Sequence, residues 1–402
     1  MALDLIISNA RLAGWDTPVE IGIAAGRIAE IAPVIASAAP RDDAAGALAF
    51  GGFVECHIHL DKAGILGRCP ICEGTLKEAV ALTAQAKAGF TVADVRDRAA
   101  KVVEQAILHG TTRLRSFVEI DPRAGFRSFE ALLEVQRDYA WAIDIALCAF
   151  AQEGLTQEMA TYAMLDEALS AGAALVGGCP YTDPDPVAHV GLIFDLAEKH
   201  GTAVDFHADF DLDPANSILP EIIRQTRARG FSGQVAVGHV TKLAAMPPAE
   251  LDRLGADLAA AGITVTALPA TDLFILGSLA PLQRLRELGV EVTLGSNNIL
   301  NPFTPYGDAS LLRIANLYAN TAHLARDADL AATFDMVSAA PARLLGSPAA
   351  VAIGATADIV LVDAPDAAMA VRTVAPVLAG YKRGVLTFTR PRPLLHVPPA
   401  AT

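Results

Sequence analysis

The 402-residue chain is poor in cysteine and has no excess of basic residues. Its five cysteines are too few and too scattered for a disulfide scaffold, and Cys69 and Cys72 have no second pair with which to bind structural zinc. Lys and Arg number 31 against 45 Asp and Glu. The resulting net charge of −14 argues against nucleic acid and anionic membranes as partners.

The chain also lacks long apolar runs. No stretch approaches the roughly 18 uninterrupted apolar residues of a membrane helix. Residues 1–10 lack the basic-then-apolar order of a secretory signal. Apolar residues nevertheless make up 52% of the chain, which is too many for a disordered protein. We therefore expect a soluble, cytoplasmic protein with a large core, and we expect it to form a homo-oligomer.

Short β-branched runs alternate with amphipathic stretches along most of the chain, which is the pattern of βα units. A helix is predicted from Thr91 to His109, with Gly110 as its stop. The predicted strands after residue 50 are Gly52–His59, Thr112–Ile120, Ile143–Ala151, Ala174–Cys179, Val204–Asp209, Gln234–His239, Ile263–Leu268 and Val290–Ser296. Eight units over about 290 residues predict a TIM barrel; a doubly wound sheet would need a glycine-rich loop after its first strand.

The two ends of the chain have a different pattern. Residues 1–50 and 346–402 contain short strand-like runs separated by turns. The predicted fold class is therefore α/β, a (β/α)8 TIM barrel over residues 51–345. A small composite β-sandwich domain is expected to be built from both termini.

Histidines lie at the ends of three predicted strands. His57 and His59 end the first strand, and alternate residues of a strand point the same way. They can therefore share a metal ion at the C-terminal mouth of a barrel. His207 lies at the end of the fifth strand and His239 at the end of the sixth. The other five histidines fall on predicted helices or in the tail, where solvated or capping roles are expected.

Four segments resemble the amidohydrolase superfamily of metal-dependent hydrolases. They are Gly52–Lys62, Ala149–Gly154, Leu175–Gly178 and Gly295–Gly307. The chain is most similar to the cytosine deaminase-like subgroup, which includes N-isopropylammelide amidohydrolases. The resemblance covers nearly the whole chain, including the composite β domain.

The resemblance implies a role for each matching residue. It implies one divalent metal ion, Zn²⁺ or Fe²⁺, because the fourth predicted strand lacks the lysine of binuclear relatives. The implied metal ligands are His57, His59, His207 and Asn297. The implied catalytic residues are Lys62 and His239, the latter as a ligand or as a hydrogen-bond donor to the attacking water. The implied contacts to a small nitrogen-containing substrate are Gln152, Phe210 and Asn298.

Two residues depart from the family pattern. Asn297 replaces an Asp that binds metal and takes a proton; an amide can coordinate but is no base near pH 7. Phe210 replaces the proton-shuttling Glu of deaminating members. Asp209, predicted on the same strand face as His207, or Asp61 could supply the missing base. An ion-pair or supporting role for Asp209 is the equal alternative.

The predicted function is hydrolysis of a C–N bond in a cyclic amidine, amide or nitrogen heterocycle by metal-activated water. The alternative is a catalytically degenerate binding protein that keeps the pocket, and Asn297 and Phe210 favour it. If Asn297 stands for a lost Asp, restoring the Asp would raise activity. If the site has been rebuilt around Asp209, activity would stay flat or fall.

Overall fold

The amino-terminal end of the chain is a small sheet. The computed structural model describes residues 2–71, 73–347 and 350–396, so Cys72 and parts of the predicted C-terminal unit lie outside the described residues. The first five strands are β1 Leu5–Ala10, β2 Val19–Ala24, β3 Arg27–Ala32, β4 Arg41–Asp43 and β5 Leu48–Phe50. Four of them pair in the order β3-β2-β1-β4.

Eight parallel strands in sequence order then form the predicted barrel. They are β6 Phe53–Ile58, β7 Thr111–Glu119, β8 Asp144–Ala151, β9 Leu175–Gly178, β10 Ala203–Ala208, β11 Val235–His239, β12 Ile263–Ala267 and β13 Val292–Leu294. The ring closes just beyond β13, where Asn297 N donates to His57 O and His59 N donates to Asn297 O, each at 2.8 Å. Every strand lies within two residues of its predicted ends.

Helices cover the outside of the barrel. They are α1 Leu76–Lys87, α2 Val92–Leu108, α3 Arg127–Asp138, α4 Ala160–Ser170, α5 Pro186–His200, α6 Leu219–Arg229, α7 Pro248–Ala261, α8 Pro269–Leu276, α9 Leu282–Glu287, α10 Leu311–Thr321, α11 Asp327–Asp335 and α12 Ala339–Leu344. Short 3-10 turns lie at Leu66–Arg68, Pro180–Thr182 and Thr241–Ala244. Among the described residues, no helix has both the length and the apolarity needed to cross a membrane.

Helix α2 shows how local sequence sets these boundaries. Thr91 caps its first turn, because the Thr91 hydroxyl accepts a hydrogen bond from Asp94 N at 3.2 Å. Its apolar stripe, including Val95 and Val103, is fully buried in the main core. Gly110 follows the helix with φ +82°, a conformation that favours glycine. The prediction for this helix is confirmed.

The carboxyl-terminal end completes the second small sheet. Its elements are β14 Ile359–Val362, α13 Ala367–Thr373, β15 Val377–Lys382 and β16 Val385–Thr389. The sheet order β16-β15-β14-β5 adds a strand from the amino-terminal end. An apolar cluster that includes Ile7, Ile21, Ile359 and Tyr381 joins the two ends of the chain. The composite β unit is thus present, while its exact domain boundaries stay a prediction.

Candidate active site at the barrel mouth

Three histidine side chains meet at the carboxyl ends of β6 and β10. Nε2 of His207 lies 3.1 Å from Nε2 of His57 and 2.9 Å from Nε2 of His59. All three residues are buried. Among the described residues they form a group whose possible metal-ligating atoms lie within 4.8 Å of one another. Three converging imidazole nitrogens are the donor set of a divalent transition metal.

The electrostatics of the three histidines suit that role. Burial, together with nearby positive groups such as Lys62, lowers the pKa of each imidazole well below the ordinary value. The rings are therefore neutral at pH 7 and keep lone pairs for a cation.

Asn297 is a further candidate donor. It lies on the backbone bridge that joins the end of β6, and its Oδ1 is buried without a hydrogen-bond partner. A buried amide oxygen without a partner is costly unless a ligand satisfies it. The residues present therefore fit a divalent ion.

Glu55 links the end of β6 to the segment after β13. Its carboxylate accepts hydrogen bonds from His57 N and Ser296 N, each at 3.0 Å, and so ties the strand of His57 to the segment that carries Asn297. Burial raises the pKa of Glu55 to about 7. The sequence interpretation gave Glu55 no role, although it lies two residues before His57.

We call His57, His59 and His207 the histidine triad. His239 lies beside this triad and is paired with a buried carboxylate. Its ring centroid is 5.4 Å from that of His207 and 6.1 Å from that of His57. Its Nδ1 lies 2.6 Å from Oδ1 of Asp272, which belongs to the first turn of α8. The sequence interpretation missed Asp272. An available signal was a carboxylate placed shortly after the seventh predicted barrel strand, where TIM-barrel catalytic residues occur.

Phe210 packs directly on His239. The two ring centroids lie 3.9 Å apart with an interplanar angle of 28°, and Phe210 is buried. The structure thus brings this predicted substrate contact to the site. An aromatic ring at this position cannot transfer a proton.

Asp209 does not lie where strand alternation predicts. Strand β10 ends at Ala208, and Asp209 has φ +51°, so the alternation that would place it beside His207 stops. Its carboxylate instead accepts hydrogen bonds from the Ser217 hydroxyl and from Ile218 N, the latter at 3.0 Å. The predicted shared face with His207 is therefore wrong, because a left-handed residue redirects the side chain.

Lys62 and Gln152 meet on the other side of the mouth. Lys62 Nζ donates to Glu119 Oε1 at 2.6 Å and to Gln152 Oε1 at 3.1 Å. It also lies 4.8 Å from the ring centroid of Phe303. Although burial opposes ionisation, Lys62 and Lys87 lower the pKa of Glu119 to about 2. The ammonium of Lys62 is therefore held by a charged partner.

Asn298 and Asp61 are engaged with their neighbours. Asn298 Oδ1 accepts a hydrogen bond from Asn301 Nδ2 at 2.7 Å. The Asp61 carboxylate accepts hydrogen bonds from Lys62 N and Glu119 N, each at 2.9 Å. Asp61 thus orders the loop after β6, and its two oxygens are already used.

Comparisons with known proteins agree with this geometry. Residues 43–388 match the model of the "Amidohydrolase family". The chain belongs to the amidohydrolase family. A pterin deaminase from Rhizobium rhizogenes (strain K84 / ATCC BAA-868) is 30% identical to this amidohydrolase over 365 residues, 86% of this chain and 82% of that protein.

Two further relatives come from the predicted subgroup. The N-isopropylammelide isopropyl amidohydrolase of Pseudomonas sp. (strain ADP) is 27% identical over 396 residues, 95% of this chain and 96% of that protein. The crystal structure of 5-methylcytosine deaminase from Klebsiella pneumoniae, liganded with phosphonocytosine, matches with a TM-score of 0.91 and 30% identity. It covers 98% of this chain and 100% of that chain. The predicted superfamily and subgroup are confirmed.

Proposed function

We propose that this amidohydrolase uses one divalent ion, Zn²⁺ or Fe²⁺, to hydrolyse a C–N bond of a small nitrogen heterocycle. The observation that carries the proposal is the convergence of Nε2 of His57, His59 and His207 at the barrel mouth. The relatives support it, because their names describe deaminases and amidohydrolases.

In this proposal the histidines have two roles, metal binding and proton transfer. His57, His59 and His207 would hold the ion, and Asn297 Oδ1 would add a neutral ligand. A bound divalent ion lowers the pKa of water and so supplies a nucleophile near neutral pH. His239 takes a proton from the attacking water and passes it to the departing nitrogen, while a C–O bond forms and the C–N bond breaks.

The other predicted residues bind the ring or hold the loops around it. The Lys62 ammonium and the Gln152 amide form a polar pair that can meet carbonyl and ring-nitrogen atoms of a heterocycle. Phe210 gives an apolar face next to His239, and Asn298 supports the loop that closes the barrel. We keep Asp209 as an anchor of the loop before α6 rather than as the base.

The second candidate is a binding protein without catalysis. Asn297 and Phe210 favour it, because neither side chain can transfer a proton. The two candidates differ in turnover but not in metal binding.

To test the proposal, the purified chain is stripped of metal, reloaded with Zn²⁺ or Fe²⁺, and assayed on a panel of compounds. Cytosine, 5-methylcytosine, pterin, N-isopropylammelide and a set of lactams would be assayed for release of ammonia or amine, or for ring opening. We expect metal-dependent turnover of at least one compound and none by His57→Ala. Bound metal without turnover of any compound would favour the binding protein.

We also propose a cytoplasmic homo-oligomer. Light scattering of the purified chain and fractionation of its host cells test the two parts separately. A monomeric mass would remove the first part and leave the enzymatic proposal standing.

A further inference from the structure

A buried carboxylate stands behind His239. Asp272 is fully buried, and each of its oxygens has one defined partner. Oδ1 lies 2.6 Å from His239 Nδ1, and Oδ2 accepts a hydrogen bond from Leu268 N at 3.0 Å. The bond to the backbone fixes the carboxylate, so its free rotation cannot break the contact with His239.

We propose that Asp272 is a positioning residue that holds His239 as the tautomer with the proton on Nδ1. The inference rests on the proposed function, in which His239 transfers protons. An ionised carboxylate only accepts hydrogen bonds, so the shared proton belongs to Nδ1. Nε2 then keeps the lone pair that proton transfer from water requires.

The other carboxylates around the mouth are engaged elsewhere. Asp209 is bonded to Ser217 and Ile218, and Asp61 accepts two backbone N–H groups. Glu119 is bonded to Lys62 and Lys87. Among the described residues near the triad, Asp272 is thus the carboxylate that contacts an imidazole. It compensates for Asn297, because it makes a histidine fit for the proton transfer that an amide cannot perform.

The Asp272→Asn variant inverts the tautomer by a defined route. Leu268 N still needs an acceptor, so the amide oxygen takes the place of Oδ2. The amide NH₂ then faces His239 Nδ1 and donates to it, which moves the imidazole proton to Nε2. The change keeps the size of the side chain and its backbone bond.

Nitrogen NMR of the full chain tests the tautomer without a substrate. With ¹⁵N-labelled histidine, in the metal-free and the Zn²⁺-loaded protein, His239 is assigned through its loss in His239→Ala. We expect Nδ1–H in the wild type and Nε2–H in Asp272→Asn. A wild type with Nε2–H, or a tautomer that Asp272→Asn leaves unchanged, would overturn the proposal.

Kinetics on a compound that the wild type hydrolyses give the second readout. Asp272→Asn is expected to lose about 10³- to 10⁴-fold in kcat, as when an Asp–His pair is forced into the wrong tautomer. KM and metal content should stay within about threefold. The double variant His239→Ala/Asp272→Asn should be no slower than His239→Ala.

The outcomes separate the two proposals. Losses that add in the double variant would show that Asp272 acts independently of His239, which contradicts the inference alone. If the wild type turns over nothing, the proposed function fails, and the NMR result still decides whether Asp272 sets the tautomer.

Discussion

In the described part of the barrel, two buried aspartate–histidine pairs have a similar geometry and different surroundings. His239 Nδ1 lies 2.6 Å from Asp272, and His189 Nδ1 lies 2.9 Å from Asp183. All four residues are buried. The same nitrogen makes the contact in both pairs, so pairing alone cannot be the reason for proposing that His239 transfers protons.

His189 packs against the end of β9 and, among the described residues, makes no ring contact with His57, His59 or His207. Its Nε2 is buried without a hydrogen-bond partner and faces Gly178, where a Cβ would lie 2.0 Å from that nitrogen. Asp183 also accepts hydrogen bonds from the backbone N–H groups of Leu155 and Thr156. This pair therefore holds the loops after β8 and β9 together. Its position beside His57 and His207, rather than its pairing with an aspartate, distinguishes His239.

The largest expected effect comes from removing each histidine in turn. His239→Ala should lower kcat/KM by about 10²- to 10⁴-fold, because a positioned proton-transfer group contributes that much. His189→Ala should lower the melting temperature through lost packing and keep kcat/KM within about threefold. Steady-state kinetics and thermal unfolding of both variants check this. Equal losses of kcat/KM in His239→Ala and His189→Ala would show that the two pairs do not differ in their effect on catalysis.

Gln152 lies between the two regions. It is close to the loop that Asp183 holds, but its side chain contacts Lys62 in the proposed substrate site. Gln152→Ala should lower kcat/KM by more than about threefold, because it removes a donor and an acceptor from the proposed ring contact. Lys62→Met is the comparison variant, because it removes the ammonium partner and keeps the Gln152 amide. Unchanged kcat/KM in Gln152→Ala would show that this amide does not bind the substrate.

Asp209 offers a buried carboxylate that has no histidine partner in the described structure. Because its oxygens anchor Ser217 and Ile218, Asp209→Asn should reduce stability and keep kcat/KM within about tenfold. Urea unfolding and kinetics separate the two effects. A nearly inactive but stable variant would restore Asp209 as the base.

The smallest effect concerns the pH dependence of stability. Although burial opposes ionisation, the hydrogen bonds from His189 and neighbouring backbone lower the pKa of Asp183 well below its usual range. A carboxylate with a lowered pKa stabilises the fold above its unfolded pKa, about 4, and this contribution is lost as the pH falls further.

Urea unfolding between pH 3 and 7 measures this contribution. The free energy of unfolding of the wild type should fall more steeply below about pH 4 than that of Asp183→Asn. Parallel curves would show that Asp183 does not carry the acid dependence.

The barrel and half of the site were predictable from local patterns. Strand alternation places His57 and His59 on one face, and parallel strands bring His207 and His239 to the same end. Asp209 breaks the pattern, because a positive φ redirects its side chain. The prediction of a solvated or capping role for His189 is wrong, because its side chain is buried and contacts Asp183.

Asp272 could not be assigned from periodicity. It comes from a helix that begins after β12, and it meets His239 only because neighbouring strands carry the two segments together. Its place shortly after the seventh predicted strand could have marked it as a candidate, but its pairing with a residue 33 positions away depends on how two loops close over the barrel.

The metal content of the purified chain shows whether His57, His59 and His207 hold an ion. Elemental analysis would compare wild type, His57→Ala, His207→Ala and His189→Ala, all purified and dialysed alike. We predict about one divalent ion per chain in the wild type and in His189→Ala, and almost none in the two triad variants. Full metal retention by His57→Ala and His207→Ala would show that the ion is bound elsewhere.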